Sequence, residues 1–132
     1  MNKLLVVDDE ANIRLLYTMV LADEGYEVVT AAGIAEAEEK LRERTFDLTV
    51  LDIKLKNENG IDLLKKLVKE RHDMPVILCS SFSCYQDDFS AWLADSYVVK
   101  SGDLTKLKQE ISRVLTKKAT PHGIQTQHRR PN

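Results

Sequence analysis

A chain of 132 residues has the length of one domain, enough to bury roughly two-thirds of its unfolded surface. With 43% hydrophobic and 30% charged residues it has the composition of an ordinary globule, and no window reaches the length of a membrane span. The formal net charge of -2 is unevenly spread: without the basic stretch 117–132 the chain carries 15 bases against 21 acids, which argues against nucleic acid as the main partner.

The stretch 117–132 holds Lys117, Lys118, Arg129 and Arg130 with Pro121, Gly123 and Pro131, and is expected to be a disordered tail after a domain spanning 1–116. Charged residues from Lys3 and Asp8 onward interrupt the first apolar run, so no signal peptide is expected. Cys79 and Cys84 have no second thiol pair and no matching histidine spacing, which argues against zinc and for reduced cytosolic thiols.

Taken in order, Leu4-Leu5-Val6-Val7 reads as a strand that ends in Asp8-Asp9-Glu10. Ile13, Leu16, Tyr17, Val20 and Leu21 then recur at helical spacing, with Gly25 as the stop. Tyr26 to Ala31 reads as a second strand, and Ile34 to Arg44 as a second, more polar helix with Ile34, Ala37 and Leu41 on one stripe. Leu48 to Asp52 is an apolar, β-branched-rich run with a single carboxylate near its end, as expected of a strand buried on both faces. Lys54 to Asn59 reads as a polar loop, and Gly60 permits a turn into a helix carrying Ile61, Leu64, Leu67 and Val68.

Val76 to Cys79 is the fourth strand and ends at Ser80-Ser81. Ser83 to Ala94 is polar apart from Phe89, Trp92 and Leu93, whose spacing predicts a short helix. Ser96 to Lys100 is the fifth strand, and Asp103 is placed to cap a last helix with Leu104, Leu107, Ile111, Val114 and Leu115 in one stripe. Strand and helix thus alternate five times. Right-handed crossovers then give an α/β fold, a doubly wound parallel sheet of five strands with helices on both faces.

All strand C-termini of such a sheet share one rim. That rim would gather Asp8 and Asp9, Asp52, Ser80 and Lys100 from four different strands. Like charges about 4 Å apart repel by roughly 4 kcal/mol at an effective dielectric near 20, so three carboxylates either raise one another's pKa or hold a cation. An all-oxygen donor set with room for water suits Mg²⁺. A lysine ammonium and a serine hydroxyl suit phosphoryl oxygens, and a carboxylate so placed can be the nucleophile that forms an aspartyl-phosphate. Taken singly, each residue has a plainer use, as a helix cap, a loop acid, a solvated lysine or a strand-end hydroxyl. Their appearance at the ends of different strands is what carries the reading.

The segments Leu5-Val-Val-Asp-Asp-Glu10, Asp47-Leu-Thr-Val-Leu-Asp-Ile53, Asn59-Gly60, Pro75-Val-Ile-Leu-Cys-Ser80 and Asp95-Ser-Tyr-Val-Val-Lys100 resemble, in order and spacing, the receiver domain of two-component response regulators over about residues 3–116. The resemblance implies a CheY-like, flavodoxin-like strand order of 2-1-3-4-5 with five helices. It implies that Asp52 accepts a phosphoryl group from a histidine kinase or phosphotransfer protein. It further implies that Asp9, Asp52 and the Lys54 backbone carbonyl bind Mg²⁺, with Asp8 acting through water. Lys100 would pair with the phosphoryl group, and Ser80 and Tyr97 would switch together. The face of the fourth helix, fifth strand and fifth helix would pass the change to a protein target. The expected protein is a cytoplasmic signalling switch with no external substrate and no nucleic-acid or membrane partner, and with no output domain after the last helix.

This sequence departs from the family pattern at four places. Ser101 follows Lys100 where the family usually has Pro, Leu55-Lys56 stands where Met-Pro is usual, and Ser81 replaces a small Ala or Gly. The stretch from Ser80 to Tyr97 is also short and lacks a Gly near Leu93. A cis bond costs roughly 2.5–4 kcal/mol without proline, so Lys100-Ser101 is expected to be trans. A pseudo-receiver that binds without phosphorylation is disfavoured by the intact Asp9, Asp52, Ser80 and Lys100. A phosphatase-type hydrolase is disfavoured because Lys54, rather than an Asp, stands two residues after Asp52.

Overall fold

The computed structural model describes residues 1–71, 73–81, 93–100 and 103–119. In chain order these form β1 (Lys3–Val7), α1 (Ala11–Asp23), β2 (Glu27–Ala31), α2 (Ile34–Glu43), β3 (Leu48–Leu51), β4 (Lys54–Leu55) and β5 (Glu58–Asn59). There follow α3 (Gly60–Glu70), β6 (Val76–Ser80), β7 (Ser96–Val99) and α4 (Thr105–Ala119). Five strands make one sheet in the order β2-β1-β3-β6-β7, every pairing parallel. This is the order 2-1-3-4-5 expected of the five principal strands.

Alternation along each strand sends neighbouring side chains to opposite faces. Leu5, Val7, Leu51, Val76 and Leu78 meet Leu41 of α2 and Ile61, Leu64 and Leu67 of α3. Leu4, Val6, Leu48, Val50, Ile77 and Val98 meet Tyr17 and Leu21 of α1 and Leu107, Ile111 and Val114 of α4. The sheet is therefore covered on both sides, which is why its central strands read as unbroken apolar runs. Among the described residues no buried side-chain nitrogen or oxygen lacks a partner, and the Thr49 hydroxyl, in the middle of β3, donates to Met74 Sδ at 3.4 Å.

The expected stops and caps are present. Gly25 takes φ +98°, and the amides of Gly25 and Tyr26 return to the carbonyls of Ala22 and Leu21 at the end of α1. Asp103 Oδ1 accepts the Thr105 amide at 2.9 Å at the start of α4. One expectation is corrected: the stretch Lys54–Asn59 is a two-stranded antiparallel hairpin, Lys54 opposite Asn59 and Leu55 opposite Glu58, and not an open loop. Leu55 is buried beneath it and anchors it to the core.

The last helix runs through Ala119, into the stretch set apart as a tail. The expected helix over Ser83–Ala94 lies outside the described residues except at its end, where Leu93 is exposed and Ala94 packs on the core. The Lys100-Ser101 bond, Cys84, all three histidines and residues 120–132 also lie outside them. Among the described residues no helix is long and apolar enough to cross a membrane.

Candidate phosphoryl-accepting site

Register places the site. Val7 of β1 lies opposite Leu51 of β3, so the next residue of each strand, Asp8 and Asp52, emerges side by side at the carboxyl rim. Leu51 lies opposite Leu78 and Ser80 opposite Val99, which brings Lys100 out over the same edge. Backbone hydrogen bonds continue past the strand ends: the Asp8 amide donates to Ala31, the Asp52 amide to Val7 and the Lys100 amide to Ser80. Each functional residue thus leaves the sheet from a fixed backbone.

Carboxylate oxygens of Asp8, Asp9 and Asp52 all lie within 4.8 Å of one another. Asp8 and Asp52 are buried, while Asp9 is half-buried. The Lys100 ammonium donates to Asp8 Oδ2 at 2.6 Å and to Asp52 Oδ2 at 3.1 Å. The second oxygens are held by backbone amides. Glu10 donates to Asp8 Oδ1 at 2.9 Å and Lys54 to Asp52 Oδ1 at 3.3 Å. Lys56 of the hairpin turn donates to Asp9 Oδ2 at 3.0 Å. An open cleft lined by Asp9, Glu10, Asp52, Lys54, Ser81 and Lys100 leads to these groups.

Burial pushes the Asp52 carboxyl up from 3.8 to about 6; Lys100 and the Lys54 amide offset part of that push, and the charge of Asp8 adds to it. Burial alone lowers Lys100, but the hydrogen bond to Asp8 and the charges of Asp52 and Asp8 outweigh it, so the ammonium is raised and stays charged. Beneath the rim, Tyr17 Oη lies 3.5 Å from Cys79 Sγ. Burial raises both, Cys79 to about 11, which favours the protonated, uncharged form of each at neutral pH.

The donor set fits Mg²⁺: three carboxylates converge, each with two oxygens, at the mouth of an open cleft that admits water. Every expected site residue among Asp8, Asp9, Asp52, Ser80 and Lys100 stands at this rim. Ser80 is fully buried at the end of β6. Tyr97 lies further back, half-buried opposite Leu78 in β7 and packed against the α2–α3 side of the core. The structure distinguishes the paired acids, because Asp8 carries the short ion pair to Lys100 while Asp9 faces the hairpin. Sequence reasoning missed two contributors. Arg14 Nη1 donates to the Asp8 carbonyl at 2.8 Å from the first turns of α1. Lys56 acts through its amide, to which its side-chain type gives no clue.

A parallel five-stranded α/β sheet with this rim defines a class, and comparison gives the family. Residues 4–112 match the model described as the response regulator receiver domain, and the chain belongs to that family. It is 34% identical over 114 residues to the sensory transduction protein LytR of Staphylococcus epidermidis, covering 85% of this chain and 45% of that protein. It is 38% identical over 101 residues to the alginate biosynthesis transcriptional regulatory protein AlgB of Pseudomonas putida, covering 74% of this chain and 22% of that one. The chain thus spans less than half the length of either relative. Among solved structures, the response regulator TrrA of Thermotoga maritima in complex with Mg²⁺-BeF is similar at 39% identity and a TM-score of 0.83, over 86% of this chain and 99% of that one. The complex of the histidine kinase ThkA with TrrA matches at 40% identity and a TM-score of 0.82, over 87% and 99%.

Proposed function

We propose that this receiver is a phosphorylation-dependent switch in a two-component phosphorelay, with Asp52 as the phosphoryl acceptor. The observation that carries the reading is the ion pair of the Lys100 ammonium with the buried Asp8 and Asp52, beside Asp9. A fixed cation is thereby held where a phosphoryl group on Asp52 would place its oxygens. Asp52 Oδ attacks the phosphorus of a phosphohistidine on a sensor kinase or phosphotransfer protein. The new O–P bond forms as the N–P bond breaks, and the imidazole nitrogen leaves with the electron pair. Asp9, Asp52 and the Lys54 carbonyl would hold Mg²⁺, with Asp8 acting through water, and the ion would supply positive charge against the phosphoryl oxygens. The solved TrrA complexes with Mg²⁺-BeF and with a histidine kinase support carrying both partners over.

Once formed, the phosphoryl group adds about -1.5 to -2 charges and three acceptor oxygens. Lys100 turns to it from Asp52, and the Ser80 hydroxyl moves to donate to it. The space that Ser80 leaves admits the Tyr97 ring, which alters the face formed by β7 and α4 for a protein target. The protein acts on no external substrate, and both its phosphorylation and its dephosphorylation take place on its own Asp52 in the cytoplasm. Nuclear magnetic resonance with Mg²⁺ and beryllofluoride, a phosphoryl mimic, tests the switch. Amide shifts at Asp52, Ser80, Tyr97 and Lys100 that vanish in Asp52→Asn are expected. An unchanged spectrum, or one that responds equally in Asp52→Asn, would contradict it.

A further inference from the structure

The β4–β5 hairpin touches the acidic site at one end and α2 at the other. Toward the site, the amides of Lys54 and Lys56 donate to Asp52 Oδ1 and Asp9 Oδ2. Away from it, the Glu58 carboxylate reaches across the chain to accept the Ile34 amide at 3.0 Å, one of the unpaired donors in the first turn of α2. The α2 cap residue, Gly33, has no hydroxyl or carboxamide to do this work itself, and a Cβ at that position would lie 2.9 Å from Glu58 Oε1. A carboxylate at a helix N-terminus is also favoured by the helix dipole. The hairpin is so short, two residues per strand, that its own ladder gives it little rigidity. Its position rests on Leu55 in the core, on Gly60 against the Asp52 carbonyl, and on Glu58.

We infer that Glu58 is a positioning residue for the acidic site: by tying the hairpin to the start of α2, it holds the Lys54 and Lys56 amides where they orient Asp52 and Asp9. This deepens the proposed function, and its metal-binding arm rests on that reading. Glu58 is exposed and is not one of the charged groups of the site, so Glu58→Ala removes no core side chain and no carboxylate or ammonium of the cluster. A control is built into the same turn. Glu36 Oε1 accepts the Ala32 amide at 2.9 Å, so Glu36→Ala also removes a hydrogen bond at the start of α2 but has no link to the hairpin.

The test compares wild type, Glu58→Ala, Glu58→Gln and Glu36→Ala by two readouts. Amide hydrogen exchange at Lys54 and Lys56, without metal, is expected to accelerate about two- to tenfold in Glu58→Ala, the equilibrium effect of one net hydrogen bond. Mg²⁺ affinity, from titration, is expected to fall by a similar factor, since coupling cannot exceed the interaction removed. Glu58→Gln keeps an acceptor oxygen and is expected to restore both, while Glu36→Ala changes neither. Unaltered exchange in Glu58→Ala, or equal changes in Glu36→Ala, overturns the inference. Absence of Mg²⁺ binding by the wild type overturns the functional reading instead, and the exchange rates alone then decide the role of Glu58.

Discussion

At the residue scale, Asp52 is only 5% exposed and sits beside a second buried acid, so its charge is costly even with Lys100 at 3.1 Å. Its folded value of about 6 lies above the unfolded value of 3.8. The folded chain therefore keeps a proton that the unfolded chain releases between about pH 4 and 6. Stability is full below that window, falls as pH rises through it, and stays reduced at neutrality. A carboxamide in place of this carboxyl would mimic the protonated form permanently. Asp52→Asn is thus expected to stabilise the metal-free protein at pH 7 by about 1–3 kcal/mol, two pKa units at about 1.4 each setting the scale. It should also flatten the pH dependence between 4 and 6. Urea denaturation at several pH values checks both, and an Asp52→Asn variant less stable than wild type at pH 7 would contradict the account. That Asp52 matters was legible from one carboxylate ending an apolar strand. That Asp8, rather than Asp9, holds Lys100 at 2.6 Å was not, because two adjacent acids look alike until the backbone turns one inward.

At the element scale, α3 begins at Gly60, where an added Cβ would lie 2.1 Å from the Asp52 carbonyl oxygen. No left-handed conformation is involved, since Gly25 alone has positive φ among the described residues; the requirement is close approach. Gly60→Ala is expected to push α3 away from β3 and to destabilise by about 1–3 kcal/mol, as an overpacked site does. Leu64, fully buried on the α3 stripe, is expected to cost about 2–5 kcal/mol on truncation to Ala. Thermal unfolding of the two variants checks these values, and a wild-type midpoint for Gly60→Ala would contradict the close approach. The stripe was legible, because Ile61, Leu64, Leu67 and Val68 recur at helical period. The hairpin was not. Lys54, Asn57, Glu58 and Asn59 have poor strand propensity, and their pairing depends on Leu55 and on the contact between Glu58 and Ile34, 24 residues away.

At the scale of the whole molecule, the sheet brings residues from four of its five strands to one rim, and the reading there was strongest because each of those four strand ends carried its own chemistry. The stretch 82–92 gave weaker periodicity and lies outside the described residues. Three acids around one lysine leave negative charge for a cation to offset. Mg²⁺ at ten times its dissociation constant is therefore expected to stabilise the fold by about 1.4 kcal/mol. Asp9→Ala is expected to abolish most of that gain, and an equal gain in that variant would count against the cluster as the binding site. The central claim is that Asp52 accepts the phosphoryl group. Intact-protein mass spectrometry after incubation with acetyl phosphate and Mg²⁺ tests it most directly. A single added phosphoryl group, labile to hydroxylamine and absent from Asp52→Asn, is the predicted result. No addition to the wild type, or the same addition to Asp52→Asn, would contradict it.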